Sequence, residues 1–307
     1  MGKNISILGV PMDLGQSRRG VNMGPDAIRY AGIVERLEEL GHSVVDNGNI
    51  AVSNKDRNDL SLTNLKNLHA VLKTNIDLQE QVDNIIKSQA FPLILGGDHS
   101  IAIGTLAGLA QNYSDLGVIW FDAHGDLNLP DTSPSGNIHG MPLAVSLGYG
   151  HPSLVNIGSK APKVKPENVV MIGIRDLDEG EKELINQIGL KVYTMHEVDK
   201  LGMNQVILET MDYLKNTDGI HLSLDLDGLD PLDCPGVGTP VNGGISYRES
   251  HLAMEMLADT NLITSAEFVE VNPILDERNK TAEVAVDLIG SLLGEKILKT
   301  SPPKATV

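Results

Sequence analysis

One cysteine, Cys234, occurs in the whole 307-residue chain, so no internal disulfide can form. A reducing, cytoplasmic setting fits that count. No apolar run approaches the ~20 residues that a membrane-spanning helix needs. Met1-Gly2-Lys3-Asn4 leads straight into an apolar run, without the pattern of a signal peptide. Basic residues are few: 24 Lys and Arg against 41 Asp and Glu give a formal net charge of -17. With no compensating basic stripe, a nucleic-acid or anionic-membrane partner is disfavoured. The acidic balance permits a cationic ligand without requiring one. No linker, internal repeat or domain boundary interrupts the chain.

What is present is a sizeable hydrophobic fraction, 41%, in short runs. Candidate strands are Ile5 to Val10, Ser43 to Asp46, Phe91 to Leu95, Gly117 to Phe121, Val169 to Ile174, Lys191 to Thr194, Ile220 to Leu224 and Ser265 to Val269. Most are rich in Val and Ile, as expected of parallel strands buried on both faces. Helical patterns lie between them. Pro25 to Leu40 opens with a proline and stops at Gly41. Leu62 to Lys87 reads as one long helix or two. Ser246-Tyr247-Arg248-Glu249 matches a capping box ahead of a helix through about Ala258. Ala282 to Leu298 is the last helix. The alternation predicts an α/β fold, a three-layer α/β/α sandwich around a doubly wound, mostly parallel sheet of about eight strands. Residues 1–300 are expected to form a single catalytic domain, and the tail Ser301 to Val307 to be disordered.

In such sheets ligands bind beyond the carboxyl ends of the strands. Metal-type side chains collect there. Asp122-Ala123-His124-Gly125-Asp126 follows one apolar run, and an extended chain would turn its alternate side chains the same way. A second strand end carries Asp225-Leu226-Asp227 and a third carries Gly96-Gly97-Asp98-His99. A polar loop capping a helix explains any one of these, but three together are hard to explain as solvated loops. The set His99, Asp122, His124, Asp126, Asp225 and Asp227 is too large for one catalytic zinc, which takes three protein ligands. It suits two ions bridged by carboxylates. Its oxygen-rich, thiolate-free character, with two imidazoles, points to Mn²⁺ ahead of Zn²⁺ or Mg²⁺.

Gly-Gly-Asp-His-Ser at 96–100, Asp-Ala-His-Gly-Asp at 122–126 and Ser-Leu-Asp-Leu-Asp-Gly-Leu-Asp-Pro at 223–231 resemble the metal motifs of the ureohydrolases. Ser135-Gly136-Asn137-Ile138-His139-Gly140 and Glu267-Phe268-Val269-Glu270-Val271-Asn272-Pro273 resemble the arginase branch of that family. The likeness runs from Gly9-Val10-Pro11-Met12-Asp13 to Glu283. It implies manganese-dependent hydrolysis of L-arginine to L-ornithine and urea by a metal-bridging hydroxide, with two Mn²⁺ per subunit. It also implies that the six residues above are the ligands, that His124 and Asp126 border the substrate, and that Asp126 also bonds the hydroxide. By the same resemblance His139 shuttles protons and Glu270 holds the guanidinium. Asn128, Ser135 and Asn137 receive the α-carboxylate, Asp178 lies near the α-amino group, and Thr239 lies at the guanidinium end. One departure is Leu129, where the pattern has a threonine; Ser133 is the nearby hydroxyl. A homotrimer or homohexamer is implied in the same way. The alternatives are a sister ureohydrolase acting on agmatine or another guanidino compound, a one-zinc deacetylase of the same fold, and a catalytically dead binding protein. The intact ligand set disfavours the last two.

Other features read as structural. Gly15, Gly20 and Gly24 around Arg18-Arg19 do not match a phosphate loop and read as a strand-to-helix connection. His42, His69, His151, His196, His221 and His251 have no partner spacing and read as surface or core histidines. Cys234, in a proline-rich loop, is not placed as a nucleophile.

Overall fold

In the computed structural model, residues 2–52, 64–158 and 161–298 are described. Eight strands build one sheet: β1 Asn4–Val10, β2 Ser43–Asn49, β3 Phe91–Gly96, β4 Leu116–Phe121, β5 Val169–Ile174, β6 Lys191–Thr194, β7 Gly219–Asp225 and β8 Ile263–Val269. Their order is β2-β1-β3-β8-β7-β4-β5-β6. Every pairing is parallel, so the sheet is wholly rather than mostly parallel. β3, β4, β5 and β7 are buried along their whole length. The pleat sends alternate side chains to two separate cores. Ile119 and Phe121 of β4 enter one, and Leu116, Val118 and Trp120 the other. Helices Gly24–Tyr30, Ile33–Glu39, Met203–Tyr213, Tyr247–Thr260 and Lys280–Leu292 cover the first core. Helices Leu68–Lys87, Ala102–Leu109, Pro142–Ser146 and Glu179–Ile188 cover the second. This is the expected three-layer arrangement.

The strands match expectation closely, and the helices need correction. Pro25 to Leu40 is not continuous, because Gly32 takes φ 89° and divides it into two seven-residue helices. Glycine adopts that left-handed conformation at little cost, where other residues are strained. Of the helix expected over Leu62 to Lys87, Leu62 and Thr63 lie outside the described residues, and the described part holds a single helix, Leu68–Lys87. The last helix ends at Leu292 rather than Leu298, with Gly294 at φ 96° just beyond it. The Ser246 capping box is present: its hydroxyl accepts the Glu249 N–H, and the Glu249 carboxylate accepts the Ser246 N–H. The expected tail, Ser301 to Val307, lies outside the described residues. Among the described residues no helix is long and apolar enough to cross a membrane.

Four neighbouring central strands, in the order β3, β8, β7, β4, point their carboxyl ends at one place. Just beyond those ends lie His99, Glu270, Asp227 and Asp122.

Candidate metal centre

The same local device ends three of the four strands. After β3, Asp98 Oδ1 accepts the Ser100 N–H at 3.1 Å. After β4, Asp122 Oδ1 accepts the His124 N–H at 2.7 Å. At the end of β7, Asp225 Oδ1 accepts the Asp227 N–H at 2.8 Å. Aspartate favours such turns because its short side chain reaches the backbone two residues on. Each turn spends one carboxylate oxygen on the backbone. In Asp122 and Asp225 the second oxygen is left for the site, whereas Asp98 uses its second oxygen on the Gly15 N–H at 2.8 Å. Asp98 is therefore a brace for the 13–19 loop.

All six expected ligands converge. His99 Nδ1 lies 3.0 Å from Asp122 Oδ2, 3.0 Å from Asp126 Oδ2 and 3.2 Å from Asp225 Oδ2. His124 Nδ1 lies 3.2 Å from Asp227 Oδ2 and 3.5 Å from Asp122 Oδ1. Two triads can each hold a cation, His99–Asp122–Asp126 and Asp122–His124–Asp227, and Asp122 belongs to both. The convergence does not arise from simple alternation. The chain leaves the extended form after Phe121, and Asp126 enters the left-handed region at φ 52°. Glu270 does so too, at φ 67°. Non-glycine residues at positive φ are uncommon and concentrate at functional sites.

The electrostatics fit a cation. His99 Nδ1, Asp122 Oδ2, Asp126 Oδ2 and Asp227 Oδ1 are buried without an aligned hydrogen-bond partner, despite their close approach. Buried polar atoms are rarely left so. Burial and the neighbouring Asp122 charge push the Asp126 carboxyl up to about 6. Burial and the charges of Asp227 and Asp122 raise Asp225 well above the usual carboxylate range. Burial would lower the His99 imidazole, but Asp122, Asp126 and Asp225 hold it well above its ordinary value. Carboxylates packed this closely around two imidazoles are a favourable seat for a cation.

The remaining expected site residues surround this floor. The cavity above it is lined by Asn128, Ser133, Ser135, Asn137, His139, Asp178 and Thr239, among others. Thr239 donates to Asp227 Oδ2 at 3.0 Å. Asn128 donates to Asp178 Oδ2 at 2.7 Å, so the expected carboxylate and amine contacts are joined to each other. Asp178 also caps helix Glu179–Ile188, with Glu181 completing a capping box. Leu129, the departing residue, packs against the second core, while Ser133 lines the cavity. Glu270 is buried directly behind His139, which lines it. Its Oε2 accepts from Gln16 at 2.8 Å, and its Oε1 accepts the His99 N–H at 3.0 Å and lies 3.2 Å from His139 Nδ1. Burial would raise the Glu270 carboxyl, but His139 holds it below its ordinary value. Cys234 is buried in the first core, and burial pushes its thiol up.

Several contributors had no signal in the sequence pattern. Gln16 and Lys66 reach the site from distant loops; Lys66 donates to Asn137 Oδ1 at 3.2 Å and Ser17 to the same oxygen at 2.9 Å. Arg175 ties the loop after β7 in place through carbonyl oxygens of Asp227, Gly228 and Leu229. Arg175 stands three positions before Asp178, yet its structural duty shows only in three dimensions. Trp120 stacks on His99 with ring centroids 4.2 Å apart and planes 7° from parallel.

Sheet and cluster together place a candidate cation site at the strand ends of a parallel α/β protein. The Arginase family model matches residues 3–294. Arginase from Bacillus subtilis (strain 168) is 66% identical over 299 residues, which is 97% of this chain and 100% of that protein. The solved structure of arginase from Bacillus caldovelox superposes with a TM-score of 0.95 at 65% identity, covering 96% of this chain and 100% of that one. The chain belongs to the arginase family.

Proposed function

We propose that this chain hydrolyses L-arginine to L-ornithine and urea with two Mn²⁺ held by His99, Asp122, His124, Asp126, Asp225 and Asp227. The observation that carries the reading is the convergence of these six side chains, with Asp122 shared between two cation-holding triads. Family membership and the 66% identity to a named arginase support the substrate. When bound, the two cations supply an ionised water near neutral pH and a positive field at the reacting carbon.

The protein's own residues do the rest. A guanidinium carbon is a poor electrophile because its charge is spread over three nitrogens, so it must be held close and in line. Glu270 is the anion for that task. A carboxylate has about four acceptor sites, and Gln16, His99 and His139 occupy three, leaving one for a guanidinium N–H. Fixed placement of this kind can supply up to ~7–11 kcal/mol of a barrier. Asp126 would take the proton that the attacking water oxygen gives up and hand it to the leaving amine as the C–N bond breaks. His139, partly exposed beside Glu270, carries protons between solvent and the site. Asn128, Ser135 and Asn137 receive the α-carboxylate, Asp178 the α-amino group, and Thr239 steadies Asp227 at the guanidinium end. One catalytic domain over residues 1–300, a homotrimer or homohexamer, and a cytoplasmic setting complete the reading and rest on the family resemblance and composition.

The test is a urea assay on chelator-stripped protein with L-arginine, agmatine and guanidinobutyrate, before and after adding Mn²⁺. Urea from arginine only, and only after metal, is expected. Equal rates on agmatine would move the assignment to a sister ureohydrolase. Full activity without metal would overturn the metal reading.

A further inference from the structure

The sheet face beneath the cluster is apolar on β3 and β4, where Ile94, Val118 and Trp120 lie. On β7 and β8 it is not. His221 and Ser223 of β7 stand in register with Ser265 and Glu267 of β8. All four are fully buried. A buried carboxylate and imidazole are costly to desolvate, and no step proposed above uses them.

Their hydrogen bonds lead to the metal cluster. Glu267 Oε1 accepts the Ser223 hydroxyl at 2.7 Å. His99 Nε2 lies 2.8 Å from the same Ser223 oxygen. A serine hydroxyl has one proton. With that proton committed to Glu267, the Ser223 oxygen can only accept from His99, so Nε2 of His99 carries a proton and Nδ1 is the nitrogen free to give its own up to a cation. The other ring nitrogen, Nδ1, is the one facing Asp122, Asp126 and Asp225. Trp120, stacked on the imidazole, fixes the plane of the ring. On its far side Glu267 meets His221, whose Nε2 approaches Oε1 to 3.5 Å and whose Nδ1 lies 2.9 Å from Ser265 Oγ. Burial would raise the Glu267 carboxyl, but His221, with His99 and Ser223, holds it below its ordinary value.

We infer that Glu267 is a positioning residue for the metal site: through Ser223 it pins the proton of His99 to Nε2 and keeps Nδ1 as a basic, correctly aimed ligand. The inference rests on the proposed metal reading and extends it two residues into the core. Carboxylate–histidine–metal relays raise ligand basicity, and losing the outer partner typically costs ~10–100-fold in metal affinity. Here the relay runs through an intervening hydroxyl.

The experiment is equilibrium dialysis of Mn²⁺ against chelator-stripped protein, with folding checked by circular dichroism. Glu267→Gln is expected to weaken the tighter-bound ion by roughly 10–100-fold, and Ser223→Ala by a similar factor. Because Glu267 acts through Ser223, the double variant should bind no more weakly than either single one. A merely structural role would instead give losses that add. Wild-type affinity in Glu267→Gln, or additive losses, overturns the inference. If Glu267→Gln does not fold, Glu267→Asp, one methylene shorter and drawn back from Ser223, takes its place in the same cycle with the same criteria. Wild-type protein that binds Mn²⁺ but releases no urea from arginine defeats the proposed function and leaves this inference standing.

Discussion

The floor of the site and its wall are built on different principles. The floor is made of strand ends. Asp122 and Asp225 each spend one oxygen on a turn of their own backbone and offer the other inward. Those positions are set by the sheet and are buried from solvent. The wall is made of loops that hold one another. His139 N–H donates to Gly15 O, Lys66 N–H to Gly136 O, and Asn128 to Asp178. A floor of this kind suits chemistry common to every guanidino substrate. A wall of loops, whose contacts can change without disturbing the sheet, is where choice among those substrates belongs.

The largest effect should come from the floor. Asp122→Ala removes the residue shared by both triads, so metal content measured by atomic spectroscopy should fall along with urea release. The rate should drop by more than the ~10²–10⁴-fold typical of a lost acid–base group. Retained metal stoichiometry in that variant would break the contrast between floor and wall. Next is His139, which stands between the two. His139→Asn should keep its metals, lose roughly 10²–10⁴-fold in kcat and recover in part with added imidazole. Metal loss there would make His139 part of the floor.

Wall substitutions should act on affinity. Asn137→Ala and Asp178→Ala should each raise KM for arginine about tenfold, near 1.4 kcal/mol, with a smaller effect on kcat. Agmatine lacks the carboxylate, so its turnover should not respond to Asn137→Ala. Asp178→Ala should also lower the melting temperature, because a lost helix cap costs ~1 kcal/mol. A change confined to kcat would place these residues on the floor. The smallest effect lies far from both, at Asp46. Burial would raise this carboxyl, but the Arg29 guanidinium and the Gly48 N–H hold it below the usual range. A depressed folded-state value contributes stability above the unfolded value of ~3.9, and loses it as pH falls through the folded one. Asp46→Asn should therefore cost under ~1 kcal/mol near neutral pH, and the difference from wild type in thermal melts should shrink toward zero in acid.

Much of the floor was legible in the sequence because its determinants are local. An apolar run followed by Asp-x-His or Asp-x-Asp carries both the strand and the turn that ends it. The reason given for the convergence needed correction, since Asp126 turns inward by a left-handed bend rather than by strand alternation. The division at Gly32 was visible as a glycine inside a helical pattern, but its left-handed φ shows only in the folded chain. The wall was legible only through resemblance. Gln16 meets Glu270 across 254 positions of sequence, and no spacing rule reaches that far. Glu267 opens a motif noted for Glu270, and His221 has no partner at any telling spacing. Their polarity was in plain view, but only the cross-strand register brings them together beneath His99.

The strand order has a consequence for the moment the protein is made. β1, β2 and β3 form one block, β4, β5 and β6 another, and the two touch in the sheet only through β7 and β8. A ribosome delivers those bridging strands last. Until they emerge, β3 and β4 lack their partners in the finished sheet, and open strand edges of that kind invite pairing with the wrong neighbour. His99 belongs to the first half, Asp122, His124 and Asp126 to the second, and Asp225 and Asp227 arrive on the bridge. The cation site is thus absent from every early stage of synthesis and comes into being when the two halves are joined.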